Sequence, residues 1–558
     1  MTLVALVAAG VLLFLFTLPP LPARLDPAGW AELAARTIPG AYHIHTTRSD
    51  GVGDRIAVAA AAARAGLKFV ILTDHGDGTR PPDPPAYVGG VLVLDGVEIS
   101  TDEGHYAALG MRRAPYPLGG AAEAVVEDVA RLGGFGIAAH PDSPRPALRW
   151  TDERAPIDGI EWLNADSEWR GESRVRLARA GLAYLLRPGP AVASLFDRPA
   201  TLDRWDRLTQ TRRVVALAGA DAHGGVGRRA EDSSRSLSGT VGIPSYDASF
   251  RAFSNRVVVE TPLTGDPAAD ARAIYGAIRK GSAFTAIDAV AGPALIDFAV
   301  ESGFERVSMG GALPADSDAT MTAHALAPPG AEVRLIHNGR VVTMSTGEIR
   351  RVLTGATGSY RIEVLAPGAP GIPPIPWLVS NPIYFLNDGS AKSAKGADGA
   401  KSADGAKGAE SAEPIPPFPW RIEKDPTSSG ILRRSDHDAA LDYKLGDGPR
   451  NSQFVALATD VDPQPMTAID LSLAGDRPLR VSVQVRRGDG ARWGRSFYVD
   501  PAGSNLRIAL STLRPIGRPS GSTISATDIT SILVVLDLTN TAPGHGGVLR
   551  VRSSALIN

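Results

Sequence analysis

Six of the ten histidines of this 558-residue chain fall within residues 42–224, each beside a run of small or β-branched apolar residues. His43 and His45 open the stretch and Asp50 follows. His75 comes after Thr73-Asp74 and Glu98 after Gly96-Val97, and His105, His140, Asp221 and His223 complete the set. Neutral imidazole and carboxylate are the usual ligands of zinc, manganese and iron. His43 and His45 are two residues apart, so on a strand both side chains leave the same face and can meet one ion. Asp221 and His223 repeat the spacing. Glu98 follows a strand and a glycine, where a carboxylate can bridge two cations. Each residue alone has a plainer reading: Asp50 before Gly51 could be a turn residue, and His105 a core histidine. Asp142 reads better as a turn residue than as a ligand, and Asp74 as a support that fixes an imidazole tautomer. Together, nine such groups without a cation would leave buried carboxylates and imidazoles unpaired.

These groups need rigid elements to hold them. Residues 41–46 read as a first strand. Residues 54–65 read as an alanine-rich helix capped by Asp54 and ended by Gly66. The apolar run 67–73 has the texture of a buried parallel strand. Further strands are expected at 91–94, 105–109, 136–139, 157–163 and 214–219, and helices at 120–132 and 174–186. Each polar cluster follows a strand, which predicts βα units around a parallel sheet with the site at the strand ends. Asp266 and Pro267 start a helix over 267–279, and a short strand at 283–287 closes this part.

From about residue 294 short alternating runs replace the βα pattern, and Asn338-Gly339 between apolar pairs signals a hairpin. Residues 388–413 are built from Ala, Gly, Ser, Lys and Asp; such a stretch cannot bury enough apolar surface to offset its ordering entropy, so it reads as a linker. Beyond it, Leu479, Val481, Val483 and Val485 alternate with polar residues, as in a half-buried antiparallel strand. The expected organisation is a leader at 1–23, a catalytic domain at 38–290, a small β-sandwich at 291–387, a linker at 388–419 and a jelly-roll-like sandwich at 420–558.

The order and spacing of His43-Ile44-His45, Ser49-Asp50-Gly51, Thr73-Asp74-His75, Gly96-Val97-Glu98 with His105, Ala139-His140-Pro141 and Asp221-Ala222-His223 resemble the PHP (polymerase and histidinol phosphatase) superfamily of metal-dependent phosphoesterases over residues 41–288. The resemblance implies a distorted (β/α)₇ barrel, followed here by two β-sandwiches, with up to three Zn, Mn or Fe ions. By that analogy His43, His45, Glu98 and Asp221 hold one ion; Glu98, His105 and His140 a second; Asp50, His75 and His223 a third. Between His140 and Asp221 no motif matches.

The implied reaction is hydrolysis of a phosphate ester by a metal-bridged hydroxide, with Glu98 bridging the cations and Asp221 or His223 managing the proton. Arg48 and Arg145 are candidate phosphate contacts, since guanidinium matches phosphate in a bidentate fork. Two other readings stand beside this one. A metal-dependent amidohydrolase would keep the cluster and change the bond. An envelope-tethered glycan-binding protein would make the C-terminal sandwich the working part, with Trp493, Phe497 and Tyr498 as either a sugar platform or core aromatics.

Composition narrows the partners. A formal net charge of −2 gives no concentrated basic surface for nucleic acid. The absence of cysteine excludes disulfides, thiolate nucleophiles and Cys-type zinc sites. Residues 3–21 are apolar and uncharged, near the roughly 20 needed to span a bilayer, which reads as a signal peptide or membrane anchor and places the remainder outside the cytoplasm, in a periplasm or on a membrane.

Overall fold

The structure is a computed structural model that describes residues 14–225, 243–386, 418–435, 438–450, 452–517 and 523–558. The apolar segment expected as a leader lies largely outside these residues, and the low-complexity linker wholly so. The chain forms two compact units. The first comprises residues 1–76, 82–112 and 133–398, the second residues 77–81, 113–132 and 399–558. The protein is rich in β-sheet, arranged as several sandwich-like sheets.

In the first unit, β1 (Thr37–Tyr42), β2 (Phe69–Leu72) and β3 (Val91–Thr101) pair in parallel. β4 (Gly104–Leu109) returns antiparallel to β3, and β5 (Phe135–Ala138) is antiparallel to β4. β6 (Gly159–Asn164) and β7 (Val215–Gly219) then continue in parallel. The sheet is therefore mixed, where uniform βα units were expected. The cause is chain length: two residues join β3 to β4, and a parallel crossover needs a dozen or more. The strands are short and apolar because they are covered on both sides. Phe69, Ile71, Leu92, Leu94, Ile137 and Leu217 share one core with Ile274 and Ile278 of the helix Pro267–Lys280.

The ends of this run meet. Ala220 N–H donates to Tyr42 O (2.9 Å), His45 N–H to Ala222 O (3.0 Å) and Ala222 N–H to His43 O (3.2 Å). Lower down, β8 (Ser254–Val258) pairs antiparallel with β1, and its Asn255 carboxamide accepts from Ala218 N–H (2.9 Å) and donates to Ala218 O (2.8 Å). Asn381 does the same for Ala216. Two side-chain amides thus stand in for a strand on the open edge of β7, satisfying backbone groups that would otherwise be buried unpaired. Local chemistry fixes the helices: Asp54 caps Arg55–Arg64 through Ile56 and Ala57 N–H, Asp266 caps Pro267–Lys280, and Gly281 ends that helix at φ 81°.

The sequence boundary at residue 290 falls inside a continuous sheet. β9 (Ala283–Ala286) pairs with β8 on one side and with Leu378–Ser380 on the other. Asn338-Gly339 joins Glu332–His337 to Arg340–Ser345 as a hairpin, with both turn residues at positive φ, as a type I′ turn requires.

The second unit is a sandwich of a six- and a five-stranded sheet. Val481, Val483, Val485, Val534 and Leu536 of one sheet and Leu441, Leu471, Leu473 and Leu549 of the other form one core. The outer face of Leu479–Arg487 was expected to meet water. Instead Arg480 is buried there, donating to Asp128 (2.7 Å) and Glu127 (2.8 Å) of the helix Ala122–Arg131. That helix belongs to this unit, far from it in sequence.

Candidate metal centre

All nine sequence-predicted ligands converge at one end of the strands of the first unit. His43 and His45 follow β1, His75 follows β2, and Glu98 and His105 face each other across the β3–β4 pair. His140 follows β5, and Asp221 and His223 follow β7. Asp50 comes in on the loop after His45. Glu98 is central: His105 Nδ1 and His140 Nε2 lie 2.7 Å from its Oε1, and His75 Nδ1 lies 3.0 Å from its Oε2. His43 Nε2 and His45 Nε2 stand 3.4 and 3.3 Å from the same carboxylate, and 3.6 and 3.4 Å from Asp221 Oδ1. Asp50 faces His45, His75 and His223 at 3.3, 3.6 and 3.3 Å.

Donor atoms fall into four mutually close groups: His43/His45/Asp221, His43/Glu98/His140, His45/Asp50/His223 and His45/His75/Glu98. These groups could hold metal ions. The partition differs from the one implied by the resemblance, since His45 rather than His75 completes the group with Asp50 and His223. Two ligands about 2.0–2.1 Å from one tetrahedral ion are about 3.3 Å apart, which is the spacing of most of these pairs and longer than a strong charge-assisted hydrogen bond. His43 Nε2, His45 Nε2, His140 Nδ1 and Glu98 Oε2 are buried and have no hydrogen-bond partner among the described residues. Buried polar atoms left unpaired are costly, and cations held by the groups above would give them partners.

Glu161, which sequence reasoning missed, sets the orientation. It is fully buried on β6. Its Oε1 lies 2.5 Å from His43 Nδ1, and its Oε2 accepts from His140 N–H (3.0 Å) and Asn164 Nδ2 (2.8 Å). A carboxylate only accepts, so His43 Nδ1 carries the hydrogen and Nε2 is left for a cation. Gly219 makes room: a Cβ there would sit 2.2 Å from Glu161 Oε1. The signal was present as one acid inside the otherwise uncharged strand Gly159–Asn164. His223 Nδ1 donates to the Asp221 carbonyl (2.9 Å), which turns its Nε2 toward Asp50.

Electrostatics favour positive charge on His43, His75, His140 and His223. Burial opposes protonation of His43, but Glu161, Asp221 and Glu98 outweigh it and hold its pKa well above the ordinary value. Burial likewise opposes protonation of His75 and His223, yet hydrogen bonding to Asp50 helps raise them to about 10 and about 9. Burial would raise Glu98 and Asp221; the surrounding imidazoles, His43 first, pull both well below the carboxylate range. Burial lowers the pKa of His45, which favours the neutral form that ligates.

Two expectations need correction. Asp74 does not touch an imidazole; it accepts from Thr46 N–H (2.7 Å), Thr46 Oγ1 (2.8 Å) and Ser49 Oγ (2.7 Å), and so pins the loop that carries Asp50. Arg48 is engaged by acids, donating to Asp83 (2.5 Å) with Asp95 3.9 Å away, so its fork is not free for phosphate. Asp142 is a turn residue outside the cluster, as expected, and accepts from Thr201 N–H (2.9 Å) at the start of a helix. Arg145 does line the cavity beside Asp50, Asp221 and His223. In the second unit Trp493 is a core residue with no exposure, and the Tyr498 ring is covered by Arg131, whose guanidinium lies 3.2 Å from its centre. Phe497 is partly buried against the same core, and neither Trp493 nor Tyr498 offers an open ring face.

No family model matches the chain, and no curated protein matches it. Solved structures resemble about a quarter of it. A family 11 carbohydrate-binding module of a cellulosomal cellulase from Clostridium thermocellum is 14% identical, covering 27% of this chain and 96% of its own, with a TM-score of 0.22. A module named TmCBM61, in complex with β-1,4-galactotriose, is 12% identical over 25% of this chain and 88% of its own, with a TM-score of 0.17. An agarase is 10% identical over 25% and 24%, with a TM-score of 0.19. Scores at this level assign no function.

Proposed function

We propose that the chain is a metal-dependent hydrolase of phosphate esters, that its curled sheet is a distorted (β/α)₇ barrel of the PHP type, and that the nine clustered residues hold two or three Zn, Mn or Fe ions. One observation carries the reading: four buried donor atoms on His43, His45, His140 and Glu98 lack hydrogen-bond partners among the described residues, and these residues fall in groups whose donor atoms lie close enough to share ions. Divalent cations bound there supply Lewis acidity toward a phosphoryl oxygen and lower the pKa of water toward neutrality.

The chain's own residues do the rest. Glu161 and the Asp221 carbonyl hold His43 and His223 with their Nε2 atoms inward. Glu98 offers one oxygen to His105 and His140 and the other toward His45 and His75, the arrangement a bridging carboxylate needs. Asp74 fixes the loop so that Asp50 meets His75 and His223. Arg145 supplies the cation nearest the cavity, in the role Arg48 cannot take.

The test is turnover of p-nitrophenyl phosphate and its bis-ester by purified full-length protein across a Mn²⁺, Zn²⁺ and Fe²⁺ panel, with metal content measured per chain. Two or three ions and turnover lost in Glu98→Gln support the reading. Folded protein that binds no ion and turns over neither ester overturns it.

A further inference from the structure

A cavity of about 890 Å³ opens beside the cluster, with Asp50, Asp221 and His223 on its wall. Away from these groups Arg145, Asp166, Arg170 and Ser249 also line it, but most of the wall is apolar, with Leu148, Trp169, Leu177, Leu195, Phe196 and Ile243. Arg170, the second arginine at the cavity, is paired with Asp166, whereas Arg145 has no ion pair among the described residues. A small polar phosphate ester would leave most of this wall without a partner. We propose that the cavity receives the apolar tail of an anionic amphiphile, a phosphate ester with a long alkyl chain, while its phosphoryl head reaches Asp50, Asp221 and His223. This rests on the phosphoesterase reading above for the chemistry, but not for the tail.

The helix Arg174–Tyr184 gives a second, independent observation. Its inner side, with Leu177, Ala180 and Tyr184, lines the cavity. Its outer side and the residues after it expose Val175 (71%), Leu182 (55%), Leu185 (78%) and Leu186 (57%), with Arg174 and Arg179 exposed beside them. Phe14 and Leu18, at the end of the apolar N-terminal run, pack on Ala183 and Tyr184. Apolar side chains mixed with arginine suit the surface of an anionic bilayer, so the wall of the tail cavity also faces where such amphiphiles collect.

Binding and turnover separate the two layers of the claim. Calorimetry on full-length protein with hexyl, octyl and decyl phosphonate, which cannot be hydrolysed at an ester bond, should show affinity rising about fourfold per methylene until the cavity is filled. Hydrolysis of ethyl, hexyl and octyl phosphate with Mn²⁺ should show the same trend in kcat/KM. Ala180→Phe, which fills the cavity away from the ligands, should flatten the trend and spare ethyl phosphate; Leu177→Ser should weaken it if the larger side chain blocks folding. Chain-length-dependent binding without any turnover would keep the tail site and remove the esterase reading. Turnover that ignores chain length would do the reverse. Octyl phosphate monomers cleaved while phosphatidic acid in phosphatidylcholine vesicles is not would assign the site to soluble amphiphiles; cleavage of both assigns it to lipid.

Discussion

Glu161→Gln is the sharpest perturbation of the candidate metal centre, because it replaces one carboxylate oxygen by an amide NH₂ and removes a charge at almost no change in volume. Glu161 Oε2 accepts two N–H groups, from His140 and Asn164, and Oε1 accepts one, from His43 Nδ1. A glutamine has one carbonyl oxygen. Two donors outweigh one, so the oxygen stays with His140 and Asn164 and the NH₂ turns to His43. His43 Nδ1 must then accept, which puts its hydrogen on Nε2, the atom 3.4 Å from Glu98 and 3.6 Å from Asp221. His43 belongs to two of the four donor groups, so both lose a ligand. Changing a partner that orients a ligating histidine typically costs 10- to 100-fold in metal affinity, about 1.4–2.7 kcal/mol. The fold should survive, since every buried polar atom keeps a partner and one buried charge is removed. The assay is calorimetric titration of Mn²⁺ into chelator-treated full-length protein, with circular dichroism melting as the control and His43→Ala as the ceiling. Wild-type affinity and stoichiometry in a folded Glu161→Gln protein would refute the argument that His43 ligates through Nε2.

Gly219→Ala should weaken metal binding in the same direction by a different route, because the new Cβ would press on Glu161 Oε1 from 2.2 Å; the same titration reads it. Arg361 is buried and holds Asp206 (2.6 and 2.7 Å) and Glu363 (2.8 Å), while Arg198 holds the far side of Glu363 (2.7 and 2.9 Å). Arg361→Met leaves buried acids short of a partner and should cost about 3–5 kcal/mol in urea unfolding; a loss below about 1 kcal/mol would show that Arg198 suffices. Glu168 is raised from 4.5 to about 7, first by burial and then by the carboxylates of Asp142, Asp197 and Glu172. The folded state therefore binds this proton more tightly than the unfolded one, and stability falls as pH rises from 4.5 through 7. Glu168→Gln should gain about 1–3 kcal/mol over wild type at pH 8 and close to nothing at pH 4, as paired denaturation curves would show.

The strands and their terminal ligands were legible because each is a short apolar run that stops at a histidine or acid, and the caps at Asp54 and Asp266 because capping is local chemistry. What depended on distant partners was not. Arg48 looked available for phosphate until Asp83 and Asp95 were seen beside it. The alternation at Leu479–Val485 marks one buried face correctly, yet Arg480 on the other face is buried by Asp128, 352 positions away. The texture change near residue 294 is real, but hydrogen bonding between Thr285 and Val379 carries the sheet across it. Glu161 was overlooked because a single acid in an apolar strand gives no spacing to read; its meaning appears only when His43 and His140 arrive from other strands.

The backbone adds a constraint that composition cannot express. His43, His140 and Asp221 adopt φ values of 64°, 52° and 43°, three of the five non-glycine residues at positive φ among those described. Each directly follows or nearly follows the end of a strand. Continued in extended form, β1, β5 and β7 would alternate their side chains between faces; a left-handed residue breaks the alternation and turns the next groups into the hollow. That conformation costs about 1–2 kcal/mol at each position, and it persists only where surrounding contacts determine it. Glu161 supplies such contacts for two of the three, bonding the His43 ring and the His140 backbone. The same carboxylate therefore fixes both the strained backbone and the imidazole tautomer of the cluster.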